Sequence, residues 1–174
     1  AYNLCYSTCL GRIVNYKKRL GTLSQYCIPK GILTDEITVT PNGVMFVKEN
    51  IRAGILPRML KEILDTRMMI KKAMKKTQDE NTYRTLNARQ LALKLIANVT
   101  YGYTSANFSG RMPCVEIADS IVQLGRQTLE RAIQTVESEW NAKVVYGDTD
   151  SLFVELPNTS REDAFRIGKE ISKR

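Results

Sequence analysis

A chain of 174 residues has room for one domain or two small ones, and 43% apolar with 25% charged residues marks a globular chain rather than a disordered tail. The 26 Lys and Arg against 18 Asp and Glu leave a formal charge of +8, which suits a polyanionic partner (nucleic acid, nucleotide or an acidic membrane face) and equally fits a basic solvent face. No apolar run approaches the roughly 18–20 residues that cross a bilayer, and with no histidine and no C-x-x-C pair among Cys5, Cys9, Cys27 and Cys114 a zinc site is disfavoured.

In chain order, residues 1–30 mix apolar and aromatic residues with a basic cluster, Lys17-Lys18-Arg19, and read as a short helix or strand followed by a loop. Ile37 and Val39, a Pro41-Asn42-Gly43 turn, then Val44, Phe46 and Lys48 alternate as a β-hairpin does. Over about residues 56–76, Leu56, Met59, Leu60, Ile63, Leu64, Ile70 and Met74 recur at helical spacing, with Pro57 in the first turn. Gln78-Asp79-Glu80-Asn81 is a polar turn. A second helix is predicted over about residues 82–101, with Leu86, Leu91, Leu93, Leu95, Ile96 and Val99, so the two form an antiparallel helical hairpin. Residues 103–114 are small and polar and read as a loop. A third helix is predicted over about residues 115–139. Val144-Val145-Tyr146 and Leu152-Phe153-Val154 then flank Gly147-Asp148-Thr149-Asp150, a β-hairpin with two carboxylates at its tip. A last helix starts near Ser160. Sequons at Asn98, Asn107 and Asn158 follow no signal peptide, and Asn98 lies inside a helical pattern. Ala1 is not an initiator Met, and both ends read as cuts in a longer protein.

Two segments carry chemistry. Asp and Gly are ordinary turn formers, so the Gly147-Asp148-Thr149-Asp150 turn has a purely structural reading. Against it, two carboxylates at one tip converge negative charge, which a cation relieves. A calcium loop starting at Asp148 fails, because its sixth position is Phe153 and its twelfth Thr159. Few oxygen ligands suit Mg²⁺, which keeps waters and shares substrate phosphates. On the second helix Gln90, Lys94, Asn98 and Tyr101 are spaced by four, four and three and form one polar stripe. Arg67 and Lys71 lie one turn apart on the first helix. Three cations facing one cleft between the helices match a triphosphate; a solvated face is the other reading, and it fits Lys72, Lys75 and Lys76.

Tyr146-Gly147-Asp148-Thr149-Asp150-Ser151 resembles the third sequence motif of B-family DNA polymerases. Lys94-Leu95-Ile96-Ala97-Asn98-Val99-Thr100-Tyr101-Gly102 resembles their second, and the likeness extends over essentially the whole chain. Within the family, Cys5-Tyr6-Ser7-Thr8-Cys9-Leu10-Gly11 and the run from Thr104 to Cys114 look more like the eukaryotic translesion branch than the replicative one. The resemblance implies an α+β fold: a palm built on an antiparallel sheet with packing helices, and an inserted two-helix antiparallel fingers hairpin. Residues 1–54 would be palm-associated, 55–102 the fingers and 103–174 palm. Asp150 would be the principal metal-ligand aspartate and Asp148 the accessory acid. Arg67, Lys71 and Lys94 would hold the incoming triphosphate, Asn98 would support that grip, and Tyr101 with Gly102 would line the nascent base pair. Two Mg²⁺ ions, primer–template DNA, a dNTP, accessory subunits and a nuclear location are implied with them, and no membrane.

The family's first motif, with a further metal-binding aspartate and a sugar-selecting tyrosine, is expected just before Ala1. These 174 residues alone are therefore expected not to polymerise DNA. The alternatives are a delta-type replicative member of the family and a catalytically decayed, nucleic-acid-binding relative; intact Lys94, Asn98, Tyr101, Asp148 and Asp150 speak against decay.

Overall fold

A computed structural model describes residues 2–13, 25–26, 34–106, 113–140, 142–157 and 159–172. The chain forms two compact units, residues 1–121 and 122–174, with α+β content distributed over both. Cys27, Asn107, Asn158, the Lys17-Lys18-Arg19 cluster and most of the run from Thr104 to Cys114 fall outside the described residues.

The first unit begins with β1 (Cys9–Ile13), β2 (Gln25–Tyr26), β3 (Ile37–Val39) and β4 (Val44–Val47), in spatial order β2-β1-β4-β3. β4 runs antiparallel to both β1 and β3, but β1 and β2 pair in parallel, so this sheet is mixed where a wholly antiparallel one was expected. The predicted hairpin is β3 and β4. Gly43 takes φ 81°, a left-handed value that suits glycine, and its N–H donates to Thr40 O at 2.8 Å.

Two details of that hairpin depart from the alternating pattern. All four residues of β4 are buried, not just Val44 and Phe46: β4 is an inner strand of the sheet, covered on both faces. Asn42, a turn residue expected at the surface, is also buried. Its Nδ2 donates to Glu116 O at 3.1 Å, and Ser120 Oγ lies 3.0 Å from its Oδ1. Glu116 and Ser120 belong to α3 (Val115–Trp140). The first turns of α3 thus dock on the hairpin, and Ile117 joins Val44 and Phe46 in a core with Leu4, Tyr6, Cys9, Cys114 and Ile121 against it.

The helical hairpin consists of α1 (Ile55–Met74) and α2 (Glu80–Ser105). Asp79 starts α2 by accepting the Thr82 N–H at 2.8 Å, and hydrogen bonds from the Thr82 hydroxyl and then the Thr82 backbone hold the Asp79 carboxyl below its usual range. The polar turn is therefore shorter than the sequence indicates, with Glu80 and Asn81 already helical. The helix also outlasts its prediction: Tyr103, Thr104 and Ser105, read as loop, complete α2. Thr104 Oγ1 donates to Tyr101 O at 2.6 Å, and Thr104 O accepts the Cys114 N–H at 3.0 Å. These bonds give the last turn partners that loop-forming residue types do not advertise.

In the second unit, residues of α3 from Val122 onward accompany β5 (Lys143–Asp148), β6 (Ser151–Glu155) and α4 (Arg161–Ile171). β5 and β6 form the second predicted hairpin, antiparallel, with a bulge between Val144 and Tyr146. Ser160 caps α4 by accepting the Asp163 N–H at 3.2 Å, which confirms a helix start there. No helix among the described residues is long and apolar enough to cross a membrane.

Candidate functional site

The hairpin carries its cations on known turns. Arg67 lies near the middle of α1, and its Nε donates to Gln90 Oε1 on α2 at 3.2 Å. Gln90 is 8% exposed, and its Nε2 in turn donates to Asn87 Oδ1 at 3.0 Å. That second bond fixes which end of the amide faces Arg67. Gln90 therefore leaves the polar stripe predicted for it: it is buried between the two helices as a partner for the guanidinium. Apolar packing makes a lone buried amide costly, and the pairing satisfies it.

Lys71 is one turn beyond Arg67 on α1, and Lys94 one turn beyond Gln90 on α2; both are exposed. Asn98 and Tyr101 follow on α2, also exposed, with Tyr101 at 40%. Gly102 stands inside the helix, where glycine costs about 1 kcal/mol relative to alanine. A Cβ there would meet nothing within 4 Å. No packing among the described residues requires a glycine at that position, which leaves that face of α2 open.

The carboxylates lie in the second unit. Asp148 ends β5 opposite Ser151, so the connection is just Thr149 and Asp150. Thr149 takes φ 48°, a left-handed value that a β-branched residue rarely adopts. Holding a residue in such a conformation costs roughly 1–3 kcal/mol. Asp148 is partly engaged by its own turn: Thr149 Oγ1 donates to Asp148 Oδ1 at 2.9 Å, and Ser151 Oγ to Asp148 O at 3.1 Å. The Asp150 carboxylate is exposed and has no side-chain partner among the described residues. Two exposed carboxylates, one tied down and one free, are hard oxygen donors of the kind Mg²⁺ takes. Among the described residues no three His, Cys, Asp or Glu side chains gather into a group that could hold a metal ion.

Sequence reasoning missed a third group. Asn3, Cys5 and Ser7, on alternate positions before β1, reach the N-terminus of α1. These partners lie some 50 residues apart in the chain, and no local pattern announces them.

A family model described as DNA polymerase family B matches residues 1–174. The chain is 57% identical over 178 residues to the DNA polymerase zeta catalytic subunit of Arabidopsis thaliana, covering 99% of this chain and 9% of that protein. It is 56% identical over 183 residues to the DNA polymerase zeta catalytic subunit of Homo sapiens, covering 99% of this chain and 6% of that protein. The DNA polymerase delta catalytic subunit of Plasmodium falciparum is 38% identical over 184 residues, covering 100% of this chain and 16% of that protein. The solved family B DNA polymerase from the archaeon Pyrobaculum calidifontis superposes with a TM-score of 0.63 at 30% identity, covering 99% of this chain and 20% of that one. The chain thus spans a small fraction of the length of each of these relatives.

Proposed function

The chain belongs to DNA polymerase family B, and from that membership we propose that it contributes the nucleotide grip and one side of the metal site to template-directed DNA synthesis. The observation that carries the proposal is the order of two motifs under a whole-chain family match: the Lys94–Asn98–Tyr101–Gly102 series on one face of α2, then Asp148 and Asp150 on a strained hairpin turn. α1 and α2 would be the fingers, over about residues 55–102. Residues 1–54 and 103–174 would belong to the palm.

The reaction is nucleotidyl transfer from a dNTP to a primer 3′ end. Arg67, held through its Nε by Gln90, keeps its two terminal nitrogens for triphosphate oxygens. Lys71 and Lys94 add point charges from adjacent turns. Asn98 supports them with a neutral amide. Tyr101 and Gly102 line the nascent base pair, the glycine by leaving space. Asp150 is the principal metal ligand and Asp148 its accessory, oriented by Thr149. When bound, two Mg²⁺ ions, held on this side by Asp150 and Asp148, would supply Lewis acidity toward the primer hydroxyl and positive charge toward the leaving pyrophosphate. Greater identity to zeta subunits than to the delta subunit favours the zeta branch, and a role in translesion synthesis, accessory subunits and a nuclear setting are part of the same proposal.

The test is primer extension by the full-length polymerase carrying this segment. Asp150→Asn should nearly abolish incorporation in Mg²⁺, and Asp148→Asn should cost less. Parent-like rates for Asp150→Asn would refute the assignment and favour a nucleic-acid-binding relative without catalysis.

A further inference from the structure

The start of α1 presents a complete accounting of backbone donors. A helix leaves its first N–H groups without intrahelical acceptors. Here Gly54, which precedes the helix, has no side chain to cap it, and the first turn holds no acidic residue. Three side chains from residues 3–7 do the capping instead. Gly54 N–H donates to Asn3 Oδ1 at 2.8 Å, Ile55 N–H to Ser7 Oγ at 3.3 Å and Leu56 N–H to Cys5 Sγ at 3.4 Å. Pro57 has no N–H to satisfy, and Arg58 N–H already reaches Gly54 O at 3.2 Å.

The capping residues are themselves locked. Asn3 is buried and takes φ 56°, a left-handed value that Asn tolerates better than most residues. Its Nδ2 donates to Val47 O at 2.9 Å and to Arg52 O at 2.8 Å, so one side chain ties the end of β4, the connecting segment and α1 together. Ser7 Oγ donates to Cys5 Sγ at 3.2 Å, which joins the other two caps. Burial pushes the Cys5 thiol up, but hydrogen bonds from Ser7 and from the backbone at Leu56 more than offset this and leave it below its ordinary range. Gly54 fits only as glycine. A Cβ there would lie 2.8 Å from Asn3 Oδ1, 3.0 Å from Pro57 Cδ and 3.1 Å from Cys5 Cβ.

We propose that Asn3, Cys5 and Ser7 are positioning residues for the nucleotide: by capping α1 from outside the helix they fix the base of the α1–α2 hairpin, and so the reach of Arg67 and Lys94. The inference rests on the reading of that hairpin as the nucleotide grip. The reasoning is mechanical. α1 has no buried residue along its length, so its packing alone restrains it weakly, and the cap sits where the helix leaves the sheet. A loosened base swings a 20-residue helix, and small angular errors grow toward Arg67.

The experiment uses the full-length polymerase carrying this segment, with steady-state single-nucleotide insertion, primer–template affinity and amide hydrogen exchange at Gly54, Ile55 and Leu56 as readouts. Ser7→Ala and Cys5→Ala should each raise the nucleotide KM roughly threefold to tenfold, the range of a lost helix cap, with kcat and primer–template Kd changed less than about twofold. Exchange at the uncapped amide should rise. Cys5→Ser, which restores an acceptor, should recover much of the KM. Ser7→Ala should add little in an Arg67→Ala background, because both act through one element. Asn3→Asp keeps the acceptor for Gly54 but sets a carboxylate oxygen against two carbonyls, and it should be the most severe.

Faster exchange at the α1 amides with an unchanged nucleotide KM would overturn the proposal, since the cap would then serve stability alone. Unchanged exchange in Ser7→Ala and Cys5→Ala would also overturn it. If Arg67→Ala itself leaves the nucleotide KM unaltered, the assignment of the hairpin as the nucleotide grip fails, and this inference fails with it.

Discussion

The contact between Arg67 and Gln90 can be tested with one substitution, Gln90→Met. Methionine keeps the length of the side chain and fills the space between α1 and α2, but it offers no oxygen. It removes the Gln90 Nε2 bond to Asn87 Oδ1 at 3.0 Å and, the bond that reaches Arg67, a charge-assisted one, Nε to Oε1 at 3.2 Å, from a half-buried guanidinium to a buried amide. Hydrogen bonds to charged groups contribute about 1.5–3 kcal/mol, and the length and the partial exposure of Arg67 put this one near the lower end. A loss of about 1.4 kcal/mol is a factor of ten, so the nucleotide KM should rise roughly tenfold in the full-length polymerase. Single-nucleotide insertion on a fixed primer–template measures it, with a melting curve alongside. Because Met preserves packing, the melting temperature should fall little. Gln90→Met and Arg67→Ala combined should do scarcely more damage than Arg67→Ala alone, since on the proposed reading Gln90 would act on the nucleotide only through Arg67. Full additivity of the two, or an unchanged KM in Gln90→Met, would show that Gln90 merely fills the interface.

Gly102→Ala should move stability and activity in opposite directions. With nothing within 4 Å of the added Cβ, the helix should gain roughly 0.5–1 kcal/mol by thermal or denaturant unfolding, while nucleotide insertion slows if that face meets the nascent base pair; a gain in stability with intact insertion would free Gly102 from the site. Tyr101→Ala should change misincorporation and mismatch extension more than correct insertion, and an unchanged error rate in a gap-filling fidelity assay would make Tyr101 structural. Lys94→Ala should weaken nucleotide use roughly tenfold to a hundredfold with primer–template affinity retained; loss of DNA affinity with normal nucleotide kinetics would place Lys94 on a DNA-facing surface instead.

What the sequence disclosed follows from the range of the interaction behind each feature. Both predicted β-hairpins, the four α-helices among the described residues and the start of the last of them near Ser160 are written in short-range terms, such as an Asn-Gly turn and a period near 3.6. The Asp148-Thr149-Asp150 turn was legible for the same reason. Errors gathered where a distant partner overrides local preference. Asn42 is a good turn residue by type, yet it is buried because Glu116 and Ser120 meet it from 74 and 78 positions away. Thr104 and Ser105 look like loop, yet they remain helical with the Cys114 N–H closing the last turn.

The same reasoning explains why periodicity located the helical hairpin but misjudged Gln90. A period near 3.6 says which residues share a face; it does not say which face a neighbour covers. On α2 the polar stripe was real in sequence, but its first member turned inward to Arg67 while Lys94, Asn98 and Tyr101 stayed exposed. Conversely Leu95 and Ile96, apolar and expected to be covered, are 62% and 50% exposed. Packing within the described residues does not account for those side chains. On the nucleotide-grip reading proposed above, an exposed apolar stripe beside a polar one that ends in Tyr101 and an unpacked Gly102 would meet both the flat apolar faces and the polar edges of a base pair. The polar and apolar stripes of α2 are therefore better read together, as two parts of one surface, than as a solvent face and a failed core.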